Sequence, residues 1–164
     1  VPLEKNVDPD LPLEISDRIE MTYKYSYGGV SRFFRELRDH KRILGSRCAK
    51  CKKVYLPPRV NCSSCYCPTR WVPLGKDGTI VTCTTVYYAT SRFFSRTPFI
   101  CAYIRVDGAD TLLLQNVILK DRSIARPGLR VTAVFRRIRK GEISDFYFVP
   151  AKRDASKPRS KKSG

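Results

Sequence analysis

From Thr79 to Val149 the chain passes through five short stretches in which β-branched and aromatic residues alternate with polar ones. "TIVTCTTVYY" (79–88), "FICAYIRV" (99–106), "TLLLQNVI" (111–118), "LRVTAVFRR" (129–137) and "ISDFYFV" (143–149) predict strands. Asp107-Gly108 and Lys140-Gly141 predict hairpin turns. The segment "LKDRSIARPG" crosses between the third and fourth strands, and five strands connected in this way predict a small Greek-key barrel of the OB type.

Upstream the period changes. Phe33, Leu37, His40 and Leu44 recur at helical spacing, with Phe34 widening the stripe, so a helix is expected from a Ser31 cap to Leu44, stopped by Gly45. Its other face carries Arg32, Arg35, Arg38, Lys41 and Arg42. Such an amphipathic helix needs an apolar surface to lie on. Just before it, "MTYKYSYGG" alternates Tyr23, Tyr25 and Tyr27 with polar residues, a strand-like pattern that ends in a Gly28-Gly29 turn. Residues 1–20 hold Pro2, Pro9 and Pro12 with little periodicity and predict an extended leader. The basic, low-complexity stretch "AKRDASKPRSKKSG" predicts a disordered tail. The expected organisation is a leader with its tyrosine segment (1–28), a helix (29–45), a cysteine-rich module (46–74), a barrel (75–151) and a tail (152–164).

Composition changes this picture mainly through charge. Lys and Arg number 32 against 15 Asp and Glu, a net charge of +17, which points to a polyanionic partner: nucleic acid, an acidic protein or a phosphate-rich cofactor. The first twenty residues are acidic, so the basic excess belongs to the body of the chain. No apolar run approaches the ~18–20 residues needed to span a bilayer, and the first residues lack a basic-then-apolar signal pattern, so a cytoplasmic protein is expected. Seven cysteines, an odd number, then argue for metal binding or buried thiols rather than a disulfide framework.

In "RCAKCKKVYLPPRVNCSSC", Cys48 and Cys51 form one C-x-x-C, Cys62 and Cys65 a second, with ten residues between them. Two such knuckles bring four thiolates around a tetrahedral Zn(II), which supplies folding free energy to a segment too small for its own core, an iron site and unmetallated thiols being the alternatives. Four sulfur ligands leave no open position, so the zinc is structural. Cys67 is an alternative to Cys65 as ligand, or a nearby free thiol. Cys83 and Cys101 fall inside predicted strands, as small buried apolar residues do. Between the knuckles, "VYLPPR" predicts a rigid Pro57-Pro58 turn from which Arg59 projects as an anion contact or a solvated loop residue.

The loop "YYATSRFFSRTPF" offers Arg92, Phe93, Phe94 and Arg96. It suits stacked single-stranded nucleic acid, and it suits equally a cofactor with a phosphorylated adenosine head and an apolar tail. His40, the single histidine, has no carboxylate–cysteine arrangement near it in sequence, and no catalytic set emerges.

"YSYGGVSRFFRELRDHKRILGSRCAKCKKVYLPPRVNCSSC", with "GKDGTIVTCTTV", "TPFICAYIRVDGADTLLLQNV" and "IARPGLRVTAVF", closely resembles the rubredoxin-like zinc-ribbon plus OB-fold family of acyl-CoA-associated proteins. The likeness runs from Tyr23 to Ala151. It implies a mainly β chain: an N-terminal amphipathic helix, a rubredoxin-like zinc ribbon, then a five-stranded OB-fold barrel. It further implies a non-catalytic accessory subunit in a hetero-oligomer with a thiolase-fold catalytic subunit that acts on an acyl-CoA, a particularly similar role being found in anaerobic aromatic degradation. On that basis Tyr25, Tyr27, Phe33, Phe34 and Leu37 are expected to dock on the partner. Arg59, Arg92, Phe93, Phe94 and Arg96 are expected to contact CoA or the acyl group. A single-stranded nucleic-acid binder and a free acyl-CoA carrier remain as alternatives. Two departures from the family pattern bear on the ribbon: Lys52 and Tyr66 stand where a glycine usually follows each knuckle, and Cys67 is additional.

Overall fold

In a computed structural model of the chain, which describes residues 12, 21–22, 24–88 and 97–151, eight strands form two sheets. The first sheet is three-stranded, in the order β2-β1-β3, from β1 (Ile43–Cys48), β2 (Val54–Tyr55) and β3 (Thr69–Leu74). The second is a closed barrel, in the order β4-β5-β6-β8-β7, from β4 (Asp77–Val86), β5 (Phe99–Val106), β6 (Leu113–Val117), β7 (Arg130–Phe135) and β8 (Phe146–Pro150). The predicted mainly β architecture of short helix, cysteine-bearing ribbon and five-stranded OB barrel is what the chain adopts. Each predicted barrel strand is present.

Closure depends on two features of β4. Gly78 pairs with Val106 of β5 and Val131 of β7 at once, and a Cβ there would stand 2.8 Å from the Arg105 carbonyl oxygen. Only glycine lets the three backbones cross so tightly. A bulge between Ile80 and Thr82 then bends β4 around the barrel. On the far side β6 and β8 meet in parallel, at Val117 and Phe148. The strands alternate as a barrel requires: in β5, Ile100, Ala102, Ile104 and Val106 are buried and Tyr103 and Arg105 point outward.

The helix departs from expectation. A 3-10 turn (Gly28–Val30) runs into α1 (Ser31–Arg35), then into a π turn (Glu36–His40) that ends at Lys41 in the left-handed region, φ 55°. Ser31 does not cap through its side chain to the following N–H groups; its hydroxyl donates back to the Gly28 carbonyl at 2.6 Å. Leu44 and Gly45, expected on the last helical turn, lie in β1, where residues 43–46 are buried. A run buried on both sides carries no alternation, so the apolar spacing of the helix continued into it. Tyr25 and Tyr27 form no strand. They stack instead, Tyr25 edge-on to Tyr27 at 5.5 Å and Tyr27 face-on to Phe34 at 3.7 Å.

One apolar core joins all three parts. Phe33 and Leu37 from the helix, Ile43 and Leu44 from β1, and Leu56 from the loop beyond β2 pack in the same cluster as Ile104, Leu113, Phe146 and Phe148 of the barrel. Hydrogen bonds fix the ribbon to the turn between β5 and β6: Val54 N–H donates to the Asp110 carboxylate at 2.7 Å, Leu56 N–H to the Thr111 hydroxyl at 2.7 Å, and that hydroxyl donates to the Leu56 carbonyl at 2.9 Å. Arg139, in the β7–β8 loop, donates from Nε to the Arg38 carbonyl at 2.7 Å and so holds the helix end. In the same loop the buried Asp145 carboxylate accepts from the N–H groups of Lys140, Gly141 and Glu142.

Candidate metal centre

Each knuckle is a tight turn that aims backbone N–H groups at sulfur. Cys48 closes β1, and its Sγ accepts from Lys50 N–H at 3.3 Å and Cys51 N–H at 3.4 Å. Cys62 repeats the arrangement, accepting from Ser64 N–H at 3.4 Å and Cys65 N–H at 3.3 Å. The correspondence extends beyond the sulfurs, for Cys48 N–H donates to Lys53 O and Cys62 N–H to Cys67 O, each at 2.9 Å. Lys52 and Tyr66 have φ values of 65° and 56°. They take up the left-handed conformation for which glycine is usual, so both knuckles close despite the substitutions, at a backbone cost of about 1–2 kcal/mol each.

The sulfurs of Cys48, Cys51, Cys62 and Cys65 lie within 4.8 Å of one another. A tetrahedron built on ~2.3 Å zinc–sulfur bonds has edges of about 3.8 Å, and Cys51 and Cys62 are already 3.6 Å apart. The donor set and its spacing therefore fit a structural Zn(II). Cys67 is not in that mutually close set, although its Sγ lies 3.4 Å from that of Cys48. The four are unevenly sheltered: Cys48 and Cys62 are buried, Cys65 is half-buried and Cys51 exposed.

Tyr55 is the residue at this centre that sequence reasoning missed. Buried in β2, it places its hydroxyl 3.2 Å from Cys62 Sγ and 3.0 Å from the Ser63 hydroxyl, and accepts from Ser63 N–H at 3.2 Å. Its hydrogen bond, with the N–H of Cys65, holds the Cys62 thiol at about 6. Burial alone would raise the Cys48 thiol, yet the N–H of Cys51 and the Cys67 and Cys51 thiols pointing at it keep it below the ordinary value. Their partners move the other way. Cys65, bonded to Cys51 and desolvated, is pushed up to about 12, and Cys67 is raised by its bond to Cys48. Without a cation the protons thus stay on some sulfurs so that others ionise, and a divalent metal is what all four need to become thiolates together.

The remaining expected residues separate. Arg59 is exposed and engaged locally: its N–H donates to the buried Ser46 hydroxyl at 2.8 Å, and its guanidinium lies 5.9 Å from the centre of the Tyr55 ring. Arg92, Phe93, Phe94 and Arg96 lie outside the described residues. Tyr87 and Tyr88, at the start of that loop, are 77% and 80% exposed. Phe33 and Leu37 are 1% and 0% exposed, buried in the chain's own core, so they cannot be the side chains that meet a partner. A small barrel leaves an apolar surface that its own helix covers. Tyr25 is exposed, and Tyr27 and Phe34 are half-buried. His40 is exposed and lies 3.2 Å from the Glu36 carboxylate, on the surface side of the helix. Cys83 packs against the core, whereas Cys101 lies half-buried on the barrel's outer face, its thiol raised by burial. Among the described residues no helix is long and apolar enough to cross a membrane.

Comparison with known proteins agrees with this architecture. Residues 35–66 match the family model described as "ChsH2, rubredoxin-like zinc ribbon domain" and residues 71–136 that described as "ChsH2, C-terminal OB-fold domain". A "DUF35 domain-containing scaffold protein" of Methanocaldococcus jannaschii is 30% identical over 112 residues, covering 67% of this chain and 79% of the relative. Two solved structures share the fold. A chain of an "Ltp2-ChsH2(DUF35) aldolase" superposes with a TM-score of 0.60 at 18% identity, over 77% of this chain and 98% of that one. A Sulfolobus solfataricus protein of unknown function from the DUF35 family gives 0.58 at 21%, over 77% and 90%. The chain belongs to the ChsH2 family of rubredoxin-like zinc ribbon plus OB-fold (DUF35) proteins.

Proposed function

We propose that this chain is a non-catalytic, zinc-containing accessory subunit that docks on a thiolase-type catalytic subunit and helps to bind CoA or its acyl thioester. The observation that carries the reading is the likeness, across three quarters of the chain, to the ChsH2 component of an assembly whose name joins it to Ltp2 as an aldolase. The relative in M. jannaschii is likewise described as a scaffold protein. The chemistry of the chain agrees with a supporting role. Its metal-binding sulfurs are a closed set of four, which leaves no position for substrate. Zinc bound there supplies folding free energy and holds the sulfurs as thiolates. A cytoplasmic setting suits such a centre, because reducing surroundings keep paired thiols from forming disulfides.

Within this reading Cys48, Cys51, Cys62 and Cys65 hold the zinc. Tyr25, Tyr27 and Phe34 are the helix-side residues left to meet the catalytic subunit. Arg59, Arg92, Phe93, Phe94 and Arg96 contact CoA or the acyl chain. The catalytic subunit supplies the nucleophile and acid–base groups, and the substrate we favour is benzoylsuccinyl-CoA, cleaved by thiolysis in anaerobic aromatic degradation. Native mass spectrometry of the protein purified gently from its own cells, with and without nuclease, tests this. A fixed-stoichiometry assembly with a thiolase-sized chain that survives nuclease is expected. The chain's +17 charge, together with an OB barrel, favours one rival, a single-stranded nucleic-acid binder, and a nuclease-sensitive, heterogeneous assembly would replace the first reading with that one.

A further inference from the structure

In the three-stranded sheet Arg47 of β1 pairs directly with Arg70 of β3, and Val54 of β2 completes the row. Residues opposite one another in an antiparallel pair project from the same face with Cβ atoms about 4.5–5.5 Å apart, so two guanidinium groups leave the sheet side by side. Like charges in that relation are destabilising. Some arginines of this chain are engaged: Arg130 with Asp107 at 2.6 Å, Arg38 with Asp39 at 2.7 Å, Arg139 with three carbonyls. Arg47 and Arg70 are both exposed, and their side chains make no hydrogen bond or ion pair among the described residues.

Arg47 and Cys48 are neighbours in one strand, so their side chains leave on opposite faces. The two arginines line an open cleft of about 530 Å³ together with Cys48, Ala49, Lys52, Trp71 and Val72, so the cleft borders the metal centre; its volume is within the range of small-molecule sites. Lys52 is held there by its left-handed backbone and by the bond from Nζ to the Ala49 carbonyl at 2.7 Å, which leaves two of its three donor protons free.

The geometry points to a binding site for the adjacent phosphates of a nucleotide-type ligand, with Arg47 and Arg70 each taking one phosphate through the planar fork and Lys52 adding a point charge. The site lies on the ribbon. It rests on the accessory-subunit reading only for the choice of CoA among nucleotides.

The test is calorimetric titration of the full zinc-loaded chain with pyrophosphate, ADP and CoA, and with a single-stranded oligonucleotide. Pyrophosphate and the nucleotides are expected to bind and to compete with one another. Arg47→Gln and Arg70→Gln should each weaken pyrophosphate binding roughly tenfold or more, with zinc content intact and the melting temperature unchanged or higher, since a repulsive pair is relieved. A loss of binding accompanied by unfolding or zinc loss would mark a merely structural pair and overturn the site. Tighter binding of CoA than of ADP would make CoA the source of the phosphates, and equal binding would support the site for nucleotides generally. Absence of binding by all three, or binding that survives the double substitution, overturns the proposal, and so does an oligonucleotide that binds where pyrophosphate does not. Because these titrations use the free chain, their failure would leave a thiolase-type complex seen by native mass spectrometry intact.

Discussion

The Tyr55 hydroxyl lies 3.2 Å from the Cys62 sulfur, on a residue that belongs to neither knuckle. It ties β2, the strand clamped to the barrel by Asp110 and Thr111, to a metal ligand. Partners of metal ligands of this kind are typically worth about 10–100-fold in metal affinity. Tyr55→Phe keeps the ring and removes the bond, and strands the Ser63 N–H. Zinc affinity measured by chelator competition at neutral pH should fall within that range, with the barrel still folded.

The same bond sets a pH dependence in the metal-free chain. Cys62 is lowered from 9.0 to about 6, so its contribution to stability is complete above pH 9 and is lost as pH falls through about 6. Cys65 is raised from 9.0 to about 12, so its contribution is complete below pH 9 and is lost as pH rises through about 12. Thermal unfolding of the chelated protein should therefore show its highest midpoint near pH 9. Tyr55→Phe should flatten the acidic limb, because the tyrosine is the largest cause of the lowered thiol.

Phe33→Ala and Leu37→Ala should each destabilise the whole chain, by about 3–5 and 2–5 kcal/mol respectively, in denaturant unfolding. Each leaves a cavity in the shared core. Phe34→Ala, at a half-buried position beneath Tyr27, should cost less stability and, on the proposed function, should weaken the complex with the catalytic subunit. An intact complex with Phe34→Ala and Tyr27→Ala combined would move the docking surface elsewhere.

Tyr66 offers the opposite sign. It is 82% exposed and sits at φ 56°, so Tyr66→Gly removes almost no packing and relieves a strained conformation. Part of that gain is returned as unfolded-chain entropy, leaving a net stabilisation of up to about 1 kcal/mol. A lower melting temperature for this variant would mean that the ring has contacts of its own.

The parts of this structure that were legible in the sequence are those whose signal is local. The strands of the barrel announce themselves through alternation between glycine turns, and the four sulfurs through two identical spacings. What was not legible depends on contacts distant in sequence. Leu44 and Gly45 continue the helix's apolar spacing and become strand because β1 is buried between β2 and β3. Phe33 and Leu37 resemble a docking stripe, and are core because Phe146 and Phe148, more than a hundred residues later, lie against the same cluster. The left-handed turns at Lys52 and Tyr66 follow from the demands of the knuckles and not from residue preference. For Tyr55, the one available signal was an aromatic residue inside a rigid segment between two ligand pairs.

The two family models divide the chain near residue 70, but its interior does not respect that division. Leu56 and Leu44 of the ribbon share a core with Leu113 and Ile104 of the barrel, and Thr111 bonds both polar atoms of the Leu56 backbone. Evolution is therefore constrained to alter the two halves together. A ribbon transplanted onto a foreign barrel would meet the wrong apolar surface, which makes the pair, rather than either module, the unit that lineages can inherit or exchange.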